Sequence, residues 1–291
     1  MAATGSQAEG SAQARAPGDS VWQHQAAGYH RFFSQFTIPV TGPLLDVARV
    51  AAGTRVLDVA AGPGYAASAA RARGARAVAA DLSPAMLAHA RQQDPQLPLL
   101  LTDAGALAAT DGAFNAVVAN FYVSHMPDPA AGVAELVRVL APGGWVAVSS
   151  WDNPAQTRHT GLLADAVTEI TGAQPYPVAP PGKPGRLPEL LRTAGLDHIA
   201  ETSVRWVHPI ASADALWDGL LASPVRAATA VASAGPATQT LIRERFDTLA
   251  AALTDAAGTV HLPVSAIITG GQRPPPAPSI PPGTVRPAGT P

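Results

Sequence analysis

Residues Val56–Tyr65 read VLDVAAGPGY, an apolar run that ends in a glycine-rich turn, and a stretch of small residues follows over Ala66–Ala72. A short apolar run before glycine predicts a buried strand, and the small residues after it predict a helix. A second apolar run, ARAVAAD, ends at Asp81, 23 residues after Asp58. The two runs together predict a strand–turn–helix–strand unit of a parallel sheet.

The same alternation continues along the chain. It predicts strands at Arg55–Ala60, Ala77–Asp81, Leu97–Leu101, Phe114–Asn120 and Trp145–Ser150. Helices are predicted at Ala66–Ala72, Pro84–Gln92 and Ala130–Leu140, the last ending at the APGG sequence of Ala141–Gly144. This pattern predicts an α/β fold, a doubly wound Rossmann-like sheet of seven mostly parallel strands.

The flanking segments define the predicted organisation. We expect a disordered N-terminus over 1–18, a helical lid over 19–50, the sheet core over 51–152, cap helices with closing strands over 153–270, and a disordered proline-rich tail over 271–291. Pro39 and Pro43 are expected to divide the lid into two helices. In the cap region, helices are predicted at Asn153–Gly172, Leu187–Ala194 and within Ser212–Ala256, and strands at Leu196–Pro209 and Val260–Thr269.

Composition excludes several classes of function. The chain of 291 residues has a net charge of −2 and no basic cluster, so a nucleic-acid partner is not expected. It has no cysteine, which excludes disulfides, thiolate metal sites and cysteine nucleophiles. With no run of 18 apolar residues and no secretory h-region, we expect no membrane span and a cytoplasmic bacterial enzyme.

Three predicted strands end in an acid, at Asp58, Asp81 and Asp103. In open α/β sheets, ligands bind at the carboxyl ends of the strands, so these side chains are expected at one rim beside the turn Ala61–Gly64. An acid about 20 residues after such a turn meets a ribose diol in dinucleotide folds. The pattern therefore predicts a pocket for a cofactor that carries adenosine.

A nicotinamide dinucleotide is the competing ligand. Its G-x-G-x-x-G turn needs free backbone N–H groups for a pyrophosphate. Here the turn reads AAGPGYAA, which lacks the third glycine and contains Pro63, a residue with no N–H. Asp58 would repel a pyrophosphate but would attract the ammonium of a methionine moiety. The charges favour S-adenosylmethionine.

At this point the chain resembles the class I S-adenosylmethionine-dependent methyltransferases, in particular the bacterial small-molecule branch related to ubiquinone and menaquinone biosynthesis. The matching segments are VLDVAAGPG, ADLSPAMLAHA, TDAGAL, DGAFNAVVANFYVSHMPDP and AELVRVLAPGGWVAVSSW. They cover about residues 54–152 in the expected order. The resemblance implies a Rossmann-like fold, S-adenosylmethionine as cofactor and S-adenosylhomocysteine as product.

The resemblance also implies roles for residues. The methionine end would lie against Asp58 and the turn, the ribose at Asp81, and the adenine near Asp103 and Ala104. The full expected cofactor set is Tyr29, Asp58, Ala60, Gly62, Gly64, Asp81, Leu82, Met86, Asp103, Ala104 and Asn120. Ala60 departs from the usual glycine, and its small methyl group is expected to be tolerated. Asp58 as a structural cap, Asp103 as a solvated loop acid, and Leu82 and Met86 as plain core residues remain the alternatives.

Methyl transfer from a sulfonium relies mainly on positioning, and a base is needed only for a protonated acceptor. His125, just after the fourth strand, is the candidate base, with structural packing as the alternative. The expected substrate pocket contains His30, Phe33, Trp151 and His159. The alternative for Tyr29 is an aromatic stripe with Phe32, Phe33 and Phe36 that packs against the sheet. No metal is expected, because the histidines lack metal-ligand spacing.

The sequence therefore predicts a metal-independent methyltransferase that moves a methyl group, by in-line displacement, to O, N or C of a small, partly apolar metabolite. The expected partner is that small-molecule acceptor, with no nucleic acid and no membrane, and the protein is expected to be a monomer or homodimer. The alternative is a non-methylating catalyst such as a cyclase, or a scaffold, that keeps the fold and uses the cofactor structurally.

Overall fold

The computed structural model describes residues 26–126, 128–152, 156–175, 186–223 and 225–276. The predicted disordered N-terminus and the end of the predicted proline-rich tail lie outside these ranges. The described part forms one seven-stranded sheet in the order β3-β2-β1-β4-β5-β7-β6. The strands are β1 (Arg55–Val59), β2 (Arg76–Asp81), β3 (Leu99–Leu101), β4 (Phe114–Ala119), β5 (Leu140–Trp151), β6 (Asp197–Ile210) and β7 (Val260–Gln272).

The helices lie on both faces of this sheet and in a cap. They are α1 (Ser34–Val47), α2 (Tyr65–Ala72), α3 (Pro84–Gln93), α4 (Pro129–Val139), α5 (Arg158–Thr171), α6 (Arg186–Thr193), α7 (Ala213–Leu221), α8 (Arg226–Ser233) and α9 (Pro236–Ala251). In the described ranges, no helix is both long and apolar enough to cross a membrane.

Pairing in the sheet places the strand ends as the sequence predicts. Neighbouring strands from β3 to β5 run parallel, whereas β7 runs antiparallel to both β5 and β6. β1 lies between β2 and β4, so the chain leaves β1 toward one side and later returns to its other side. This is the switch point at which doubly wound sheets bind ligands. The predicted fold class is confirmed.

Apolar side chains cover both faces. On one face, Val40, Leu44 and Leu45 of α1 pack with α2 against β1 and β4. On the other, α4 and α6 pack against the opposite side chains of the same strands. A third cluster joins the cap helices α5 and α7–α9 to Phe36 of α1. The lid helix therefore contacts both the sheet and the cap.

The predicted break in the lid is wrong. Pro39 and Pro43 both lie inside the single helix α1. Proline in a helix interior costs about 3 kcal/mol because it removes a hydrogen bond and crowds the preceding turn. Four side chains of α1, those of Phe36, Val40, Leu44 and Leu45, are completely buried. At about 1.5–3 kcal/mol for each buried side chain, these four contribute about 6–12 kcal/mol, which offsets the roughly 6 kcal/mol that the two prolines cost.

Two strands are longer than predicted. β5 begins directly after α4, at Leu140, with an irregular register between Phe114 and Ala116 of β4. Gly143, in this irregular stretch, has a φ of +79° and donates its N–H to the carbonyl of Arg273. β7 continues to Gln272, so its last two residues come from the segment expected to be tail. Pairing with β5 explains the extension, since Gln272 lies opposite Trp145.

Candidate functional site

The turn after β1 has an unusual backbone. Ala60, Gly62 and Gly64 have φ values of +52°, +54° and +78°. Gly64 is tightly enclosed, because a Cβ there would lie 3.0 Å from both Ala90 and Leu97, whereas a Cβ on Gly62 would meet only Met86, at 3.9 Å. Glycine adopts such conformations freely and other residues do so at a cost. Ala60 is thus a non-glycine residue held in a left-handed conformation at the rim.

Asp81, the last residue of β2, lies beside this turn. Its Oδ2 accepts a hydrogen bond from the N–H of Gly62 at 2.8 Å, and its Oδ1 accepts one from Ser83 at 2.8 Å. Burial raises the pKa of Asp81, while these N–H groups act in the opposite direction. The carboxylate therefore joins the ends of β1 and β2 in one compact acidic rim.

Asp58 is the most deeply buried acid of the site. Its side chain is 1% exposed, and Oδ2 accepts a hydrogen bond from the N–H of Ala67 at 2.9 Å. Among the described residues, Oδ1 has no hydrogen-bond partner. Burial raises its pKa to about 7, with Asp81 adding to the effect. A buried carboxylate oxygen without a donor is suited to a cationic ligand group.

The other expected adenine and ribose residues lie around this pair. Met86 is buried, and its N–H bonds to Ser83 at the start of α3. Leu82 is partly buried between β2 and that helix. Asp103 follows β3, and its Oδ1 accepts a hydrogen bond from Gly105. Ala104 is buried. The local turn gives Asp103 a structural role of its own, so its contact with a cofactor stays a prediction.

Asn120 follows β4 and connects three elements. Its Oδ1 accepts a hydrogen bond from the hydroxyl of Ser149 at 2.6 Å, and its Nδ2 donates to the carbonyl of Thr37 in α1 at 3.4 Å. Ser149 also accepts from the N–H of Phe121 at 2.8 Å. Sequence reasoning missed Ser149, although a serine inside the apolar strand VAVSSW was an available signal.

The lid reaches the rim through a π-helical turn, Tyr29–Phe33, in which the N–H of Ser34 bonds to the carbonyl of Tyr29. The hydroxyl of Tyr29 lies 3.2 Å from Thr37 Oγ1. Burial raises the pKa of Tyr29 to about 12, and Tyr65 and the two rim acids contribute to the rise. Tyr29 therefore faces the same acidic rim as the residues of β1 and β2.

His30 of the lid turn contacts residues of α2 and α3. Its Nδ1 is 2.9 Å from the hydroxyl of Tyr65, and its ring stacks on His89 at 4.8 Å between centroids. Burial and His89 lower its pKa. Sequence reasoning missed both Tyr65 and His89, because nothing local indicates that α2 and α3 present them to the lid.

The remaining expected pocket residues come together in an aromatic cluster. The ring centroid of Phe33 lies 6.2 Å from that of Trp151 and 5.5 Å from that of His159, and the ring centroids of Trp151 and His159 are 4.3 Å apart. Two further rings, which sequence reasoning missed, complete the cluster. Phe36 stacks on His159 with 4.6 Å between ring centroids, and Phe121 stacks on Trp151 with 3.9 Å between them.

His125 lies in a 3₁₀ turn, Val123–His125, shortly after Asn120. Its side chain is exposed, and partial desolvation together with the nearby positive charge of Arg226 lowers its pKa. An imidazole in its neutral form can accept a proton, as a general base must. Within the described residues, no group of three His, Asp or Glu is arranged to hold a metal ion.

Comparisons with known proteins agree with this geometry. Residues 57–148 match the family described as "Methyltransferase domain". The chain is 39% identical over 106 residues to a demethylmenaquinone methyltransferase of Clavibacter sepedonicus, which covers 35% of this chain and 43% of that protein. A demethylmenaquinone methyltransferase of a Mycobacterium species is 36% identical over 138 residues, 47% of this chain and 56% of that protein. The chain thus spans about half the length of the curated relatives it matches.

Solved structures support the fold. A Haemonchus contortus phosphoethanolamine N-methyltransferase, in complex with S-adenosylhomocysteine, superposes with a TM-score of 0.54 at 18% identity and covers 89% of this chain and 59% of that one. The [4+2]-cyclase SpnF superposes with a TM-score of 0.51 at 21% identity over 82% and 81% of the two chains. At these identities the likeness concerns the fold, which an N-methyltransferase and a cyclase share.

Proposed function

We propose that this chain is an S-adenosylmethionine-dependent methyltransferase acting on a small, partly apolar acceptor, because residues 57–148 match a methyltransferase domain. The observation that carries the proposal is the buried Asp58, whose Oδ1 has no hydrogen-bond partner among the described residues. It lies beside a glycine turn and a second strand-end acid, Asp81. The non-methylating alternative finds no support in the family match.

The described residues fit the cofactor. Asp58 would hold the methionine ammonium, which satisfies its free oxygen and stabilises its charged form. Gly62 leaves room for the close approach of a ligand, since a Cβ there would meet only Met86, at 3.9 Å, whereas Gly64 lets the turn pack against Ala90 and Leu97. Asp81 would accept hydrogen bonds from ribose hydroxyls, and Met86 and Leu82 would pack against the adenine. Tyr29 would cover the site from the lid.

When bound, S-adenosylmethionine supplies a sulfonium methyl group, which passes to the acceptor atom and leaves S-adenosylhomocysteine. The protein's contribution is positioning in a site from which water is excluded. Asn120, fixed by Ser149 and Thr37, forms the wall between β4 and the lid. For a protonated acceptor, His125 would accept the released proton, because its lowered pKa leaves the ring neutral.

Calorimetric titration with S-adenosylmethionine and S-adenosylhomocysteine tests the proposal. The wild type should bind both ligands, and Asp81→Ala should weaken binding by about 1–3 kcal/mol, the cost of a lost buried polar contact. Glu244→Ala, which removes an exposed acid of α9, is the matched control and should bind normally. A folded wild type that binds neither ligand would refute the proposal.

The acceptor is the second part of the proposal. The aromatic cluster and the demethylmenaquinone named for the relatives both point to an apolar ring system. Formation of S-adenosylhomocysteine with cyclic apolar metabolites, and none with peptides or RNA, is the expected result. The proposal includes a cytoplasmic location and a monomer or homodimer, and light scattering of the purified chain measures its oligomeric state.

A further inference from the structure

His159, the second residue of α5, is a buried histidine with unused hydrogen-bonding capacity. Its side chain is completely buried, and neither ring nitrogen has a partner among the described residues. A neutral imidazole carries one N–H donor and one acceptor. Leaving such groups unpaired in a protein interior is unfavourable, and native proteins seldom do so without a reason.

The surroundings of His159 are aromatic. Phe36 stacks on its ring at 4.6 Å with an interplanar angle of 26°, and Trp151 and Phe33 approach it at angles of 58° and 55°. The charged residues of the rim are not among these ring contacts. We call the five residues Phe33, Phe36, Phe121, Trp151 and His159 the aromatic chamber. Flat apolar rings are the ligands that such walls recognise best.

The chamber also contains signs of strain. Phe121 has a φ of +57°, which is unfavourable for a bulky residue. It is held there by the hydrogen bond from its N–H to Ser149 and by stacking on Trp151. Phe33 belongs to the π-helical turn, a rare geometry that is frequent at functional sites. Strained backbone persists where the surroundings enforce it, and it concentrates at ligand sites.

The chamber adjoins the proposed methyl-transfer site. Phe121 follows Asn120 directly, and Trp151 ends β5, the strand next to β4. Phe33 is four residues from Tyr29 and lies 5.6 Å from it, on the lid turn that covers the acidic rim. A ligand held against His159 would therefore lie next to the wall at which the methyl group must be presented.

We propose that His159 is the hydrogen-bonding anchor of the methyl acceptor, and that the acceptor is a flat aromatic molecule with a hydroxyl or carbonyl oxygen directed at this ring. The inference rests on the proposed function and adds to it a residue and a class of substrate. Burial lowers the pKa of His159 to about 3, so the imidazole stays neutral and positions the acceptor without taking its proton. Entry requires the lid side chain Phe33 to move away from the ring.

An oxygen on the acceptor should matter for recognition. A site built to pair a polar group discriminates strongly against an analogue that lacks it, because its own polar atoms are then left unpaired. A bare hydrocarbon of the same shape could pack against the aromatic residues once Phe33 has moved but would leave both nitrogens of His159 unpaired. The oxygen therefore supplies specificity, and the aromatic walls supply the contact area.

The test uses two matched probes, 1-naphthol and naphthalene, titrated into protein saturated with S-adenosylhomocysteine. The wild type should bind 1-naphthol about tenfold more tightly, the effect of one net hydrogen bond of about 1.4 kcal/mol. His159→Phe should abolish this preference, and His159→Gln, which keeps a donor and an acceptor, should restore part of it. His261→Phe, an exposed histidine on β7, is the control and should leave the preference unchanged.

Ring nitrogen spectra of protein labelled with ¹⁵N-histidine give a second readout. The signals that vanish in His159→Phe should shift with 1-naphthol and stay in place with naphthalene. An unchanged preference in His159→Phe, or no binding of 1-naphthol to the liganded wild type, would overturn the anchor. Failure of the proposed function is seen separately, as absent binding of S-adenosylhomocysteine before any probe is added.

Discussion

The carboxylate of Asp81 accepts a hydrogen bond from the backbone N–H of Gly62 at 2.8 Å, so the acid that ends β2 holds the glycine turn that follows β1. The second oxygen accepts from Ser83 and fixes the start of α3. One side chain thus determines the relative positions of three backbone segments around the proposed cofactor site. Its removal should disturb stability as well as binding.

We expect Asp81→Ala to lower the free energy of unfolding by about 1–2 kcal/mol, because the backbone N–H groups of Gly62, Ser83 and Leu82 lose their acceptor. Asp81→Asn should lose less than about 1 kcal/mol, since its amide oxygen can still accept from some of these donors. Urea unfolding of both variants without ligand measures the difference. Equal stability of Asp81→Ala and wild type would contradict the role assigned to this acid.

A second prediction concerns the pH dependence caused by Asp58. Its folded pKa of about 7 lies above the usual value of 3.8 because burial disfavours the charged form. A carboxyl group whose pKa is raised by folding stabilises the folded state fully when the pH is below the pKa of that group in the unfolded chain. This stabilisation is lost as the pH rises through its pKa in the folded protein. Between pH 4 and pH 8, the free energy of unfolding of the protein without ligand should therefore fall by about 2–4 kcal/mol because of this group.

Asp58→Asn should flatten this part of the stability profile, because the amide does not titrate. Unfolding midpoints in denaturant at pH 4, 6 and 8 for both proteins measure the effect. S-adenosylhomocysteine, through its ammonium, should bind more tightly to the wild type at pH 8 than at pH 6, and Asp58→Asn should bind weakly at both. A wild-type profile with the same slope as that of Asp58→Asn would refute the assignment.

The third prediction is that Ala60→Gly stabilises the protein. Ala60 has a φ of +52°, and a left-handed conformation costs a residue with a Cβ roughly 1–2 kcal/mol. Glycine removes this cost but adds flexibility to the unfolded chain, so we expect a net gain of about 0.5–1 kcal/mol in thermal unfolding. The sequence analysis noted that alanine replaces the usual glycine here but considered only the size of the methyl group, whereas the positive φ is what makes alanine unfavourable.

Two substitutions in the same turn are controls for that prediction. Gly62→Ala introduces a similar backbone strain in open space, whereas Gly64→Ala also forces a Cβ against Ala90 and Leu97 at 3.0 Å. We therefore expect Gly64→Ala to be the more destabilising of the two. If Ala60→Gly destabilises the protein, the left-handed geometry at this position is wrong.

The acidic rim was predictable because the residues that form each strand end lie close together in the sequence. An apolar run, an acid and a glycine turn are adjacent in the chain, and parallel pairing then brings the strand ends together without further input. The single helix through Pro39 and Pro43 was not predictable in this way. Its continuity depends on four side chains buried by partners far away in the sequence, and this packing outweighs the local proline signal.

The aromatic chamber was predictable only in part. Trp151 is the last residue of β5 and His159 follows shortly after it, so their position near the rim could be expected, and Phe33 lay on the predicted lid. Phe121 was missed because its inward position depends on a positive φ, which no residue type other than glycine signals. His30 was expected in the substrate pocket, whereas the structure places its ring beside Tyr65 and His89, a direction that depends on the π-helical turn.

The last prediction concerns the contact that holds the lid on the cap. A Cβ on Gly219 of α7 would lie 2.2 Å from the ring of Phe32, so this glycine provides the space into which the lid side chain packs. Alanine normally favours a helix by about 1 kcal/mol over glycine. Here we expect the opposite result, a net loss of about 1–3 kcal/mol from overpacking in Gly219→Ala.

Phe32→Val should relieve that overpacking, so the double variant should be more stable than the sum of the two single effects predicts, by about 1 kcal/mol. Gly42→Ala in α1 is the matched control, because its Cβ would meet only Arg73, at 3.9 Å, and should leave stability unchanged or slightly raised. Urea unfolding and S-adenosylhomocysteine titration of all four variants measure stability and cofactor affinity together. If Gly219→Ala behaves like Gly42→Ala, the lid does not depend on this contact, and its closure over the acidic rim must rest on Tyr29 and His30 instead.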